Sequence, residues 1–171
     1  MGLLDTLLFW RRNPTRDWTM ERDGALPDIN SVTLALGPLA FGDGLERARA
    51  LGLGRPDECR WSKSGTGTLV YKRHGLELEY ELGRCVEYTF YTGPEYAQES
   101  KGYALATPRL NNGERLSHTS QREQLTRCFG EPETESEDED DREMLFRRGP
   151  NVIECGLDRD GRLSMLTIYV D

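Results

Sequence analysis

The stretch Leu76-Glu77-Leu78-Glu79-Tyr80-Glu81-Leu82 alternates apolar and acidic side chains without a break. Successive side chains of a strand point to opposite sides of its sheet. The period of two therefore places Leu76, Leu78, Tyr80 and Leu82 on one face and Glu77, Glu79 and Glu81 on the other. A strand of this kind belongs to a sheet with one side packed and one side wet, as antiparallel sheets often are. His74-Gly75 before it and Gly83-Arg84 after it are turn signals. Leu69 and Tyr71 alternate in the preceding segment. Val86, Tyr88 and Phe90 alternate in the following one, which leaves Glu87, Thr89 and Tyr91 on the acidic side. Hairpin pairing brings the two outward sets together, with Lys72 alongside.

Further out, Val32, Leu34 and Leu36 predict a strand. Leu45, Ala48, Arg49 and Leu51 predict a helix over about 44–53, closed by Gly52, Gly54 and Pro56. The same order then returns. Residues 103–106 predict a short strand. A helix capped by Ser117 or Thr119 runs to Phe129, with Gly130 and Pro132 behind it. Strands follow at Met144–Arg148, Val152–Leu157 and Leu163–Val170, the last two joined by the turn sequence Asp158-Arg159-Asp160-Gly161. The echo reaches single residues. Gly54-Arg55-Pro56 returns as Gly130-Glu131-Pro132, Leu69–Arg73 as Met144–Arg148, and Thr89-Phe90-Tyr91 as Thr167-Ile168-Tyr169, at offsets of 75–78 residues. Offsets this constant point to a duplicated unit. The expectation is an α+β fold. Two tandem units, each a helix plus a three-strand meander, share one antiparallel sheet with helices on one face. The boundaries are 1–31 for an N-terminal helix and arm, 32–98 for the first repeat and 99–171 for the second.

The chain has 171 residues, 36% of them hydrophobic and 30% charged, which suits a soluble protein with a real core. The formal charge of −8 is local. Glu131 to Glu143 carry nine acids against one base, and the remainder holds 21 of each. No basic stripe accompanies the run, which speaks against a nucleic-acid binder. No apolar run has the length of a membrane span. Leu3, Leu4, Leu7, Leu8 and Phe9 form an apolar helical face ended by Pro14, and their charges Arg11 and Arg12 follow rather than precede it, unlike a secretory signal. With Arg16 the arm offers weak membrane-surface contact, and Gly2 fits a myristoylation pattern. A cytoplasmic location is expected. Cys59, Cys85, Cys128 and Cys155 lack paired spacing, so thiols rather than a metal site or disulfides are expected.

Chemistry-bearing motifs are sparse. His74 stands before a turn glycine and His118 near a helix start, without a nucleophile motif for either. Ser64-Gly65-Thr66-Gly67 lacks the Lys-Ser/Thr ending of a phosphate loop. Neither the run Glu133–Asp141 nor Asp158–Gly161 has the ligand spacing of a calcium loop. No catalytic residue, metal or cofactor is assigned. The outward sheet face remains, either as a solvated surface or as a recognition surface rich in carboxylate and tyrosine. The acidic run is either a solvated loop or a docking site for a basic partner.

Leu53-Gly54-Arg55-Pro56 and Phe129-Gly130-Glu131-Pro132, each followed by strands, give the chain a resemblance to the beta-lactamase inhibitor protein and the related small lipoproteins of the outer-membrane assembly machinery. The resemblance implies a sheet face that grips another protein. Those relatives are exported, and this chain shows no export signal, so an intracellular target is expected instead. The leading expectation is a non-catalytic protein-binding protein, a bacterial intracellular inhibitor or immunity protein that neutralises a basic toxin or enzyme. The expected contact residues are Glu77, Glu79, Glu81, Glu87, Thr89, Tyr91, Thr167 and Tyr169, with Glu137, Asp138, Glu139, Asp140 and Asp141 as an electrostatic rim. The alternative is a small-ligand or lipid-binding module between sheet and helices.

Overall fold

A computed structural model describes residues 13–20, 24–96, 102–138 and 142–171. Eight strands run in chain order: β1 (Glu58–Trp61), β2 (Gly67–Tyr71), β3 (Leu76–Glu81), β4 (Arg84–Tyr91), β5 (Thr134–Glu137), β6 (Arg142–Arg148), β7 (Asn151–Leu157) and β8 (Leu163–Val170). They form one antiparallel sheet of order β1-β2-β3-β4-β8-β7-β6-β5. The chain builds one half from its outer edge inward and then the other half likewise. The two halves meet where β4 pairs with β8 and Thr89 stands opposite Thr167, 78 residues on.

The expected α+β class is therefore corrected to mainly β. Helix α1 (Leu45–Arg49) has five residues and α2 (Arg122–Phe129) eight, so no pair of helix-plus-strand units results. The covering layer is mostly irregular chain. Ile29, Leu34, Leu36, Leu39, Leu51 and Leu53 reach the core from loops, joined by Leu125, Cys128 and Phe129 from α2. Helix α1 stops short of the expected 44–53 because Gly52 and Gly54 both adopt left-handed φ and end the turn. Ser117 and Thr119 bond each other at 2.9 Å instead of capping α2, which starts after Gln121.

Each half contributes four strands, not three. β1 lacks the alternation that betrays a half-buried strand. β5 lies inside the acidic run and is fully exposed. Ion pairs to residues outside it hold β5 in place: Arg122 to Glu135 and Arg142 to Glu137, both at 2.5 Å. The expected strand at Val32–Leu36 is a tight turn. Asn30 Oδ1 accepts the amides of Val32 and Thr33, Leu34 takes φ 59°, and the Tyr88 hydroxyl donates to the Leu34 carbonyl. Val32 is left exposed. The expected strand at 103–106 is not one of the eight strands of the sheet.

The core face follows the alternation that was read. Leu78, Tyr88, Phe90, Ile168 and Ile153 are buried on one side of the sheet. Phe41 stacks on Tyr88 from the covering layer, ring centroids 5.3 Å apart. Leu82 departs from its expected inward place. Leu82 and Gly83 form the two-residue hairpin between β3 and β4, both with positive φ, and Leu82 points to solvent. A register shift after Glu79 lets Cys85 rather than Val86 enter the core. No helix among the described residues is long and apolar enough to cross a membrane. The expected helix at 3–12 lies outside the described residues.

Candidate functional site: the acidic face of the sheet

The side of the sheet opposite the core carries the expected polar set. Strand register places Glu77, Thr89, Thr167 and Glu154 in one row across β3, β4, β8 and β7. The next row holds Glu79, Glu87 and Tyr169. The hydroxyls of Thr89 and Thr167 lie 3.1 Å apart at the seam, and both residues are buried by their neighbours.

Glu77 is not available to a partner. Its carboxylate accepts from the Tyr91 hydroxyl at 3.1 Å and from the Tyr103 hydroxyl, and the residue is 8% exposed. Tyr103 arrives on a strap that crosses the end of β3 and β4. The Ala104 amide donates to the Lys72 carbonyl and the Ala106 amide to the Tyr91 carbonyl, each at 2.8 Å. The strap can lie this close because position 75 is glycine. With φ 57°, a Cβ there would stand 2.4 Å from the Ala104 carbonyl oxygen. The Tyr103 ring sits 4.9 Å from that of Tyr91. Burial, and then the bond to Glu77, push the Tyr103 phenol well above its ordinary pKa.

No tyrosine seals the other carboxylates: Glu87 accepts from the Thr89 hydroxyl at 3.2 Å, and no described side chain bonds Glu79 or Glu154. Glu79 is exposed and Glu87 half-buried, and the two stand directly opposite each other. Burial raises the pKa of both. Glu77 and Glu81 add to the effect at Glu79, and Glu79 adds to it at Glu87. Glu154 is raised by burial and then by Glu143. Among the described residues none of these three forms an ion pair, although Lys72 and Arg60 lie on the same face. Both of those bases hold Glu58 instead, at 2.7 and 2.8 Å, and pull its pKa down to about 2. Glu81 lies exposed beside the hairpin, Tyr91 and Tyr169 are half-buried, and Asp138 is exposed at the end of β5. Glu137 belongs to Arg142. Glu139, Asp140 and Asp141 lie outside the described residues. Glu154 was missed in the sequence, though it follows Glu77 by 77 residues, within the spread of the echo.

These shifts fix the sign of a pH response. Glu79, Glu87 and Glu154 have raised folded-state pKa values, so the fold holds protons that the unfolded chain releases. Their contribution is fully present below the ordinary value of 4.5 and is lost as pH rises through the raised values. Glu58 acts oppositely. Its contribution is present above 4.5 and is lost as pH falls toward 2. Urea unfolding across a pH series is expected to show these three carboxylates adding stability as pH drops toward 4.5, against the loss below 6.5 from His74, whose pKa burial lowers. Glu87→Gln is expected to flatten that slope and to add about 0.2–1 kcal/mol at pH 7 by removing a like-charge cross-strand pair. An unchanged slope in the variant would remove Glu87 from this account.

Other polar groups are placed elsewhere. His118 Nδ1 lies 3.2 Å from the Leu163 carbonyl and Nε2 3.5 Å from Asp158, tying the loop before α2 to the β7–β8 turn. His74 is half-buried in the turn before β3, and burial lowers its pKa. Among the described residues neither histidine bonds a hydroxyl or thiol, and no group of three or more His, Cys, Asp and Glu is placed to hold a metal. A cleft between α2 and β5–β6 contains Arg122 and Arg142, whose charges Glu135 and Glu137 already neutralise.

No family model matches the chain. No curated protein matches it either. Among solved structures it is similar to a DUF4309 family protein (YjgB) from Bacillus subtilis subsp. subtilis str. 168, with 12% identity over 75% of this chain and 79% of that one and a TM-score of 0.47. At that distance the likeness carries no argument about the site. The chemistry of the face stands on its own. It offers hydrogen-bond acceptors with negative charge, ringed by tyrosines, on strands whose backbone is fixed by pairing on both sides. That suits recognition of donors and cations.

Proposed function

We propose that the chain is a non-catalytic protein-binding protein that holds a positively charged partner surface against this face of its sheet. One observation carries the reading. Glu79, Glu87 and Glu154 are kept together, partly desolvated and without a cation among the described residues, while nearby Lys72 and Arg60 are committed to Glu58. Like charges gathered on neighbouring strands cost stability, and a partner's lysines or arginines would recover that cost on binding. The most concrete case is an intracellular bacterial inhibitor or immunity protein that neutralises a basic toxin or enzyme. Asp138 and the acidic residues after it would raise the association rate by steering such a surface. Glu81, Tyr91 and Tyr169 complete the expected contact set on the sheet, while Glu77, Thr89 and Thr167 support it from beneath.

Affinity capture from the source organism, read by mass spectrometry, tests this. The chain is expected to retain one stoichiometric partner. Glu79→Lys combined with Glu87→Lys is expected to lower its recovery about tenfold or more, since reversed charges at a desolvated contact repel what they attracted. Recovery unchanged by the double substitution, or no partner at all, overturns the reading.

A further inference from the structure

The seam between β4 and β8 sets two similar sites side by side. Thr89 pairs with Thr167. Glu77 on β3 stands opposite Thr89, and Glu154 on β7 stands opposite Thr167. Tyr91 lies two residues beyond Thr89, and Tyr169 two residues beyond Thr167. Both sites thus combine Glu, Thr and Tyr in the same register. They differ in what fills them. At the first, the Tyr103 side chain packs its ring by Tyr91 and gives its hydroxyl hydrogen to Glu77. At the second, no described residue hydrogen-bonds to the Glu154 carboxylate or the Tyr169 hydroxyl. Both residues are nevertheless half-buried, and burial is the leading cause of the raised pKa at each.

We propose that Glu154 and Tyr169 form a site for a tyrosine side chain of the partner protein, seated as the chain's own Tyr103 is seated on Glu77 and Tyr91. The proposal rests on the protein-binding reading and names one anchor of that partner. The filled site shows by example that a phenol satisfies such a carboxylate, which leaves the partner's cations to Glu79 and Glu87. The Tyr103 ring packs at a tilt of 48° against the Tyr91 ring, and its single O–H satisfies a desolvated carboxylate. One difference restricts how the tyrosine arrives. The Tyr91 amide donates to Gly75, whose missing Cβ admits the strap's backbone. Tyr169 faces Val152, a buried side chain. The partner's backbone must therefore stand off from the sheet while the side chain alone enters.

The probe is the acetylated and amidated hexapeptide Gly-Tyr-Ala-Leu-Ala-Thr, which copies residues 102–107, titrated into the isotope-labelled full chain and followed by amide NMR. Saturable shifts are expected at Val152, Glu154, Thr167 and Tyr169 with a dissociation constant of about 1 mM. The same peptide with phenylalanine for tyrosine is expected to bind about tenfold more weakly, and Glu154→Gln to weaken the tyrosine peptide about as much. Tyr169→Phe keeps the ring and is expected to retain most of the binding. No shift at these amides up to about 10 mM peptide, or equal binding of the phenylalanine peptide, overturns the site. Shifts confined to Glu77 and Tyr91 overturn it too, since they would mean that the probe merely displaces the strap. If partner capture still depends on Glu79 and Glu87 after such a result, the protein-binding reading stands and this anchor alone falls.

Discussion

Phe90→Ala is expected to cost about 3–5 kcal/mol of unfolding free energy. Phe90 is fully buried on β4, next to the seam where the two halves of the sheet join. Its neighbours across the strands are Leu76 on β3 and Leu166 on β8, and Tyr88 meets it edge to face at 5.7 Å. Those neighbours belong to strands paired on both sides, so they have little freedom to close the space an alanine leaves. The cost therefore falls toward the upper part of the range for a lost aromatic side chain, transfer and cavity together. Urea unfolding should show a large fall in midpoint with an unchanged slope. Leu82→Ala serves as the contrast. Leu82 is 79% exposed in the β3–β4 hairpin, and its loss should move stability by less than about 0.5 kcal/mol. Equal effects from the two would mean that Leu82 packs into the core, as the period of two had it, and does not stand exposed in the hairpin.

That alternation was the legible part of the fold. Glu-Leu periodicity in β3 reports burial on one side only, and β4, β6, β7 and β8 each carry a local pattern strong enough to be read. Elements held by distant partners escaped. β5 is four exposed residues in an acidic run, and its ion pairs come from Arg122 and Arg142. No local count of hydrophobic residues detects a strand stabilised in that way. Leu34 was read as a strand residue by its spacing, yet the Asn30 side chain drives a turn and a tyrosine 54 residues away fixes its carbonyl. The helices were overestimated because Leu, Ala and Arg at helical spacing occur in α1, while the glycines behind it end it sooner than the period suggests.

The same division explains the site. The period of two placed Glu79, Glu81 and Glu87 on the outer face. It could not reveal that Glu77, with the same spacing, is sealed by a tyrosine 26 residues further along. The signal for Glu154 was present in the echo of the two halves. It was overlooked because its own strand, Val152-Ile153-Glu154-Cys155-Gly156-Leu157, has only one acid where β3 has three. Repeats transmit position more faithfully than composition, and here position is what pairs Glu154 with Tyr169.

Tyr103→Phe is expected to cost about 1.5–3 kcal/mol, the range for a hydrogen bond to a charged acceptor that is left buried. The ring remains, so packing against Tyr91 is kept, and the loss isolates the hydroxyl. Glu77 would retain only the Tyr91 hydroxyl at 3.1 Å. A second reading distinguishes this from general loosening of the strap. The folded-state pKa of Tyr103 is raised, so the folded protein keeps a proton that the unfolded chain gives up above its ordinary value of 10.0. This contribution is fully present below that value and is lost as pH climbs past it, at about 1.4 kcal/mol per pH unit per tyrosine. Tyr71, Tyr80 and Tyr88 behave alike, because burial raises each of them. Unfolding measured between about pH 10 and 11 should therefore show a shallower decline in Tyr103→Phe than in the parent, by one proton. Pairing the substitution with Glu77→Gln should shrink its cost, since the amide carries no charge to leave stranded. A full cost in both backgrounds, with an unchanged alkaline slope, would mean that Tyr103 steadies the strap by packing alone. The phenol-on-carboxylate template proposed for Glu154 and Tyr169 would then have lost its precedent.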